Sequence, residues 1–314
     1  MDLIQTRGSR HWRLNLSSMT MPDIQITSVE INGSLAYVNY SIEAVEGGYT
    51  SLTLVAKKNS APTSKTDGVT ASITQSSTGK LMYLNNTSTY YFAIFAEYNG
   101  YTFRSAVVTE TTASEITFCD TEIRNGVMYN KITGGTWTKR YGTEQDPEYD
   151  SANNAVILKC SSSAWYYMSV PGKWGTNMDT RPKASRITME CEAKFTTSSY
   201  NQTLTLNALI QLRLAGSSPA VRLAPNTSSY QLNWTPPLNS KLNAFHKVKV
   251  IVYYRNGGYA YKCEIYVDGS LYQSSTFSNV SDTEGIYSVA VTSGGSSLLA
   301  MYYKSVKLTA VYND

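Results

Sequence analysis

The 314-residue chain is 42% hydrophobic, enough apolar material for packed cores and, at this length, for about two domains. Its formal charge of +4 is spread along the chain without the basic stripe that a nucleic-acid binder needs, and no run approaches the ~18 apolar residues of a membrane helix. Tyrosine is abundant at 25 residues, Ser, Thr and Asn are everywhere, and Glu/Lys/Ala helix-type runs are missing, so the composition predicts β structure.

Residues 1–21 read as an arm. Leu3, Ile4, Trp12, Leu14, Leu16, Met19 and Met21 make it apolar, and Arg7, Arg10 and Arg13 make it basic. These arginines interrupt any apolar h-region, so the expectation is synthesis in the cytoplasm without a signal peptide. Two readings of the arm stand side by side: a leading strand laid on its own domain, or a docking peptide for a larger assembly.

Residues 22–113 read as a first all-β domain. Pro22 opens a strand over Ile24–Ile31, Asn32-Gly33 turns the chain, and Leu35–Ile42 alternates with Ala36, Val38, Tyr40 and Ile42 on one face. Strands follow over 51–57, 69–76 and 80–84, with the loop Asn59–Gly68 between the first two. Leu84 then precedes Tyr90 by six residues, and Tyr90, Phe92, Ile94 and Ala96 alternate. This run resembles the tyrosine corner and following strand of fibronectin type III domains, in which the Tyr hydroxyl bonds back to the chain and clamps the corner. The resemblance implies a sandwich that acts as a spacer or docking module. The tryptophan usual in the second strand is missing, and Tyr37 or Tyr40 is expected to fill its space. Asn99-Gly100 turns the chain into a last strand over 101–112.

A short link at Thr111–Glu115 leads to a second region, 114–314, with strand-like segments over 115–118, 127–132, 155–160, 165–170, 186–195, 204–214, 220–223 and 230–234. Glu144, Asp146 and Glu148 have the spacing E-x-D-x-E. This resembles the acidic run of laminarinase-type jelly-roll glycosidases, which need two carboxylates about 5 Å apart on one strand face. Here Gln145 and Pro147 intervene, and Pro removes a ladder donor, so residues 141–154 read as a solvated acidic loop and no catalytic residue is assigned. The same loop offers Asp146, Glu148 and Asp150, with Glu144 and Asn153, as oxygen ligands; no cofactor is required by the sequence, and calcium is the one ion this set suggests.

Sugar binding needs exposed aromatic faces beside amides and hydroxyls. Tyr166, Trp174 and Asn177 form one candidate group, with Gly172 and Gly175 bracketing Trp174, and Asn233-Trp234 forms another. Against them stands the abundance of Tyr, most of which fills cores or strand faces; Tyr166 and Tyr167 are adjacent, so one of the two faces inward. Cys119, Cys160, Cys191 and Cys263 are too scattered for a zinc site; two disulfides are one option, and small buried hydrophobes in strands the other. His11 and His246 have no G-x-S-x-G partner, and Gly134-Gly135 and Gly294-Gly295 are turn signals.

The stretch from Phe245 to Tyr272 is the strongest pattern in the chain. Val248, Val250, Val252 and Tyr254 alternate with Lys247, Lys249, Ile251 and Tyr253; Asn256-Gly257-Gly258 turns; Tyr261, Cys263, Ile265 and Val267 alternate again; and Asp268-Gly269 marks a tight hairpin. Phe245-His246-x-Val248 followed by Tyr266-Val267-Asp268-Gly269 resembles the laminin-G/concanavalin-like jelly roll, as does a closing strand carrying Val306, Leu308, Ala310 and Tyr312. That resemblance implies two stacked antiparallel sheets that often bind glycans. A fibronectin-like spacer with a lectin-like tip is similar to bacteriophage fibre, tail and capsid-decoration proteins. The expectation is a non-enzymatic virion protein, anchored to other virion proteins through residues 1–21, presenting the jelly roll to a host glycan or a neighbouring subunit, and forming a homo-oligomer, with a trimer one form. The alternatives are a jelly-roll glycosidase and a secreted bacterial glycan-binding protein.

Overall fold

The computed structural model describes residues 2–4, 22–139, 145–169, 184–206, 210–223, 230–255, 259–281 and 288–312. No helix occurs among them. The chain divides into two compact units, Met1–Ser114 and Glu115–Asp314.

The first unit contains β1 (Asp2–Ile4), β2 (Ile24–Asn32), β3 (Leu35–Ile42), β4 (Ser51–Lys58), β5 (Val69–Ser72), β6 (Gly79–Tyr83), β7 (Thr89–Tyr98), β8 (Tyr101–Arg104) and β9 (Val108–Thr111). β2-β3-β6 form one sheet; the other runs β1-β8-β7-β4-β5, with β9 also on β7. Alternation in β3 buries Ala36, Val38 and Tyr40 against Leu54, Phe92, Ile94 and Phe103 of the facing sheet. Tyr40, 3% exposed, is thus a large core ring on β3, whereas Tyr37 is only half-buried. β7 departs from simple alternation: Phe92 to Ala96 are all buried, because Ala93 and Phe95 pack with Val55 and Val107 on its other face. Leu84 is buried, and Tyr90 accepts a bond from the Asn85 N–H (3.0 Å).

The last strand expected in this unit, 101–112, is broken. Ser105 interrupts it: its hydroxyl accepts from the Ile94 N–H (2.9 Å), taking over a ladder position, and the chain resumes as β9. Residues 2–4 pair antiparallel with β8, as a leading strand would; residues 5–21 of the arm lie outside the described residues.

The second unit is a larger sandwich. Its strands are β10 (Glu115–Arg124), β11 (Val127–Asn130), β12 (Thr138–Lys139), β13 (Glu148–Asp150), β14 (Ala155–Cys160), β15 (Tyr166–Ser169), β16 (Ala184–Phe195), β17 (Gln202–Leu206), β18 (Ile210–Ala215), β19 (Val221–Leu223), β20 (Tyr230–Leu232), β21 (His246–Arg255), β22 (Tyr259–Val267), β23 (Ser270–Ser281), β24 (Ser288–Ser293) and β25 (Leu299–Tyr312). A nine-stranded sheet runs β11-β10-β25-β16-β21-β22-β23, with β14 on β25 and β13 on β14; a seven-stranded sheet runs β12-β15-β24-β17-β18-β19-β20. The two meet through contacts such as Cys119 to Met168 and Cys160 to Val291. β25 is the spine: it pairs with β16 along one edge and with β14 and then β10 along the other, burying Val306, Leu308 and Ala310.

Several expectations shift here. The run 204–214 is a hairpin, with Leu204 opposite Leu212, rather than one strand. Glu115–Phe118 extends to Arg124 and turns at Asn125-Gly126, both at positive φ, into β11. The acidic segment is not wholly loop, because Glu148–Asp150 pairs with Ala155–Ile157. Fold class is as the composition indicates: all-β, a smaller sandwich followed by a jelly-roll sandwich.

Candidate functional site

At one end of the seven-stranded sheet, the β18–β19 loop meets the segment that leaves β20. Gly216, Ser217, Ser218, Pro219, Asn233, Trp234, Thr235, Pro236 and Asn239 line a pocket of ≈ 300 Å³. Trp234 is partly exposed, and Asn233, Thr235 and Ser217 are exposed around it. An aromatic ring beside amides and hydroxyls in a concavity is the chemistry that recognises a polyhydroxylated ring: the apolar face of a sugar stacks, and its hydroxyls bond sideways.

The pocket wall is held by two asparagines from elsewhere in the chain. Asn239 accepts from the Gly216 N–H (2.9 Å) and donates to the Gly216 carbonyl (2.8 Å). Asn201 accepts from the Ser218 N–H (3.1 Å) and donates to the Ser218 hydroxyl (3.0 Å). Gly216 lies at φ +143°, and a Cβ there would stand 2.4 Å from Asn201 Oδ1 and 2.6 Å from its Cα, so only glycine fits. On the other wall, the Trp234 carbonyl accepts from Ala220 N–H (3.0 Å), and Tyr272 donates to the Thr235 carbonyl (3.3 Å). Pro236 and Pro237 stiffen the exit. Both loops are therefore pre-organised, which lowers the ordering cost of binding.

The structure sorts the candidate residues. Asn233 and Trp234 meet in this pocket. Tyr166 does not belong to a binding surface: it is 0% exposed and donates to the Gln145 carbonyl (2.5 Å), and a fully buried ring cannot stack on a sugar. Its half-buried neighbour Tyr167 faces the other way. Trp174 and Asn177 lie outside the described residues, as does Glu144.

The remaining acids do not converge. Asp146 pairs with Lys139 (2.8 Å), Glu148 with Lys159 (2.5 Å), and Asp150 accepts from the Asn153 amide (2.7 Å) and its N–H (3.2 Å). Bonding to the Asn153 side chain leads the causes that pull the Asp150 pKa down. Among the described residues, no group of three or more His, Cys, Asp or Glu is placed to hold a metal ion. The calcium candidates Asp146, Glu148 and Asp150 are each committed to a different partner, and two of those partners are cations.

Asp268 and Gly269 form the expected hairpin turn at φ 51° and 82°. Asp268 also clamps the start of β21: it accepts from His246 Nδ1 (2.7 Å) and from the Lys247 N–H (3.0 Å), with Lys241 3.8 Å away. Partial burial opposes its charge, yet these bonds outweigh it and the pKa is lowered. His246 thus has a structural partner.

The fold and pocket define a β-sandwich protein with a pre-formed polar-aromatic site on its jelly roll. No family model matches the chain, and no curated protein matches it. Among solved structures it is similar to a botulinum neurotoxin type C described for cell entry dependent on two ganglioside molecules, with 13% identity over 63% of this chain and 48% of that one, TM-score 0.44. It is similar also to the binding domain of botulinum neurotoxin DC in complex with SialylT, with 9% identity over 63% and 48%, TM-score 0.45. Domain 4 of an extracellular arabinanase from Geobacillus stearothermophilus, in complex with arabinotriose, matches at 10% identity over 64% of this chain and 95% of that one, TM-score 0.42. The match spans about half the length of the neurotoxin chains. Likenesses this distant bear on no residue of the pocket.

Proposed function

We propose that this chain is a glycan-binding protein that works by contact and not by catalysis, and that Trp234, Asn233 and the Ser217–Ser218 edge hold the sugar. The observation that carries the reading is the pocket itself: a half-exposed tryptophan between exposed amide and hydroxyl groups, on loops locked by Asn201 and Asn239. Against a glycosidase role weighs the pairing of Asp146 and Glu148 with separate lysines, where a retaining mechanism needs two carboxylates facing one bond.

For the setting, we propose the virion of a bacteriophage, with the first unit as spacer. In its support, β2-β3-β6 faces a sheet containing β8-β7-β4-β5 in a two-layer sandwich, which suits the spacer that the sequence resembles, and Tyr90 closes its corner on Asn85. Peptides of this chain in gradient-purified particles would support the setting; their absence from particles, with the chain free in the lysate, would sink it.

The binding test is a glycan array probed with the full chain and with Trp234→Ala. Removing a central aromatic anchor is expected to weaken retained glycans by at least about tenfold. A blank array, or equal binding by the variant, would refute the assignment.

A further inference from the structure

We infer that the Trp234 pocket is one end of a longer site, that its occupant is a neutral oligosaccharide, and that Tyr200 is a second stacking plate for a further sugar ring; this rests on the glycan reading above. Strand register places the loops concerned at one end of the second sandwich. Gln202 of β17 is opposite Ala215 of β18 on one side and Ser293 of β24 on the other, Val221 is opposite Leu232, and Cys160 is opposite Leu299. The segments 161–165, 196–201, 216–220, 233–239 and 294–298 continue from those positions and form one rim. Hydrogen bonds stitch it together: the Ser162 N–H donates to the Gly295 carbonyl (2.7 Å), the Gly294 N–H to the Asn201 carbonyl (2.8 Å), and the Asn201 amide to the Ser218 hydroxyl (3.0 Å). None of these five segments contains Asp, Glu, Lys or Arg, in a chain that is 16% charged. Ser162, Ser296 and Ser297 are exposed along it. The rim thus offers hydroxyls and amides without ionic groups, which suits a neutral, hydroxyl-rich chain. Arg213 touches the pocket wall from β18, at the Pro219 carbonyl (3.2 Å), and lies outside the rim segments.

Tyr200 is 43% exposed, and Gly295 backs it. A Cβ on Gly295 would stand 2.9, 3.1 and 3.3 Å from Cγ, Cδ2 and Cδ1 of Tyr200. Near-equal distances to these three ring atoms put the glycine over one face of the ring, so the exposure falls on the other. A ring laid on backbone with one face in solvent is a surface on which the apolar face of a sugar stacks. An exposed tyrosine is ordinary in itself; its neighbour singles this one out. Asn201, which holds Ser218 at the pocket wall, is the next residue, with its Cα about 3.8 Å away. Strands of a sheet stand about 4.7–4.9 Å apart, so the order β24-β17-β18 sets the Tyr200–Gly295 plate one to two strands beyond the Gly216–Ser218 wall. A single sugar in the pocket stops short of the plate, and a chain of several units reaches it.

The test is an array of neutral oligosaccharides graded from one to six units, in β-1,3-glucan, β-1,4-glucan, α-1,4-glucan, α-1,5-arabinan and N-acetylglucosamine series, probed with the full chain. In at least one series the longest member is expected to be held about tenfold more tightly than the single sugar, because joining two weak contacts makes the second intramolecular. Raised salt should leave that ratio unchanged. Tyr200→Ala should bring the ratio close to one, and Tyr200→Phe, which keeps the ring, should preserve it. In NMR spectra of the parent the longest bound member should shift the Tyr200 and Gly295 amide signals, which the single sugar leaves in place; this readout requires no variant to fold. Equal retention at every length, with loss in Trp234→Ala, overturns the longer site and leaves the glycan reading standing. A length effect that persists in Tyr200→Ala, or that leaves the Tyr200 and Gly295 signals unmoved, overturns the Tyr200 assignment. Tighter binding of an oligogalacturonate than of every neutral series overturns the neutral part. Retention on the general glycan array with no graded series held also overturns the longer site, and blanks on both arrays bring down both readings.

Discussion

Asp268 should tolerate Asn, weaken with Gly and fail most with Ala, and the order follows from geometry. The carboxylate takes a bond from His246 and one from the Lys247 N–H. Hydrogen bonds to a charged group contribute about 1.5–3 kcal/mol each when sheltered. The side chain is 45% exposed, so solvent screening reduces the pair to about 1–2 kcal/mol together. The backbone adds a second, separate cost: at φ 51° a Cβ without a local hydrogen-bonding side chain is disfavoured by about 1–2 kcal/mol. Asp268→Gly loses the bonds but relieves the strain, so it is expected to cost about 1–2 kcal/mol. Asp268→Ala loses both, about 2–4 kcal/mol. Asn keeps an acceptor for Lys247 and tolerates the conformation, so it should cost less than about 1 kcal/mol. The assay is urea unfolding followed by tryptophan fluorescence, which reports mainly on the second unit because Trp137, Trp165, Trp174 and Trp234 all fall there. A Gly variant as stable as the parent would show that the carboxylate clamps nothing; an Ala variant no worse than Gly would show that the turn is not strained.

Two predictions concern the first unit. Gly68 lies at φ +147° with an added Cβ 2.6 Å from the Ala56 carbonyl oxygen, so Gly68→Ala should destabilise the β4–β5 edge by more than about 1 kcal/mol, seen as faster amide exchange there, whereas Gly48→Ala, which meets nothing within 4 Å, should show only the turn strain. Asp67 accepts from Lys57, from the Thr63 N–H and from the Thr63 hydroxyl, and the Lys57 bond above all lowers its pKa to about 2. A depressed folded value means the support is complete above the unfolded pKa near 3.8 and is lost as pH falls toward 2, so cleavage of the Asn59–Gly68 loop by pepsin should accelerate across that window in the parent and be insensitive to it in Asp67→Asn.

Local signals were the legible ones. Asn99-Gly100, Asn125-Gly126 and Asp268-Gly269 each close a two-residue hairpin with both residues at positive φ, and the valines of β21 all bury as their alternation dictates. Asn125-Gly126 carries the same signal as the other two, and reading it would have carried the strand begun at Glu115 on to Arg124 and joined it in a hairpin to the strand expected over 127–132. What the sequence hides is contact across distance. Asn201 reaches Ser218 across 17 residues and Asn239 reaches Gly216 across 23, and nothing in either segment marks it as half of a pocket. Gly216-Ser217-Ser218-Pro219 looks like any turn until the segment after β20 is laid beside it. Tyr166 and Tyr167 show the limit of a period of two: adjacency says that one ring points inward, and only the register of β15 on β24 decides that it is Tyr166.

The four cysteines give a test of whether the second sandwich is closed as described. All are free and buried, and all fall in the second unit. Burial above all, with Asp120 adding, pushes the Cys119 thiol up to about 12; burial, with Glu190 and Glu192, does the same for Cys191; Cys263 is raised as well, by burial and then Glu264. Only the thiolate attacks an alkylating or disulfide reagent. At pH 8 a thiol of pKa near 12 is ionised about one part in ten thousand, against roughly a quarter for a free cysteine. Reagent access is a second barrier, because Cys119 touches Met168 and Cys160 faces the Val291 carbonyl between the sheets, so labelling requires the layers to part. Native protein mixed with a chromogenic disulfide reagent should therefore release colour at least about a thousandfold more slowly than a model thiol, and the four sites should react together, at one rate set by opening of the sandwich. Adding urea without reductant should expose all four thiols at once. Rapid reaction of any one in the native state would place that cysteine outside the core and break the stacking of the two sheets at that point; fewer than four thiols in urea would mean that a pair is bonded, and with it that β10, β14, β16 and β22 do not hold the spacing described here.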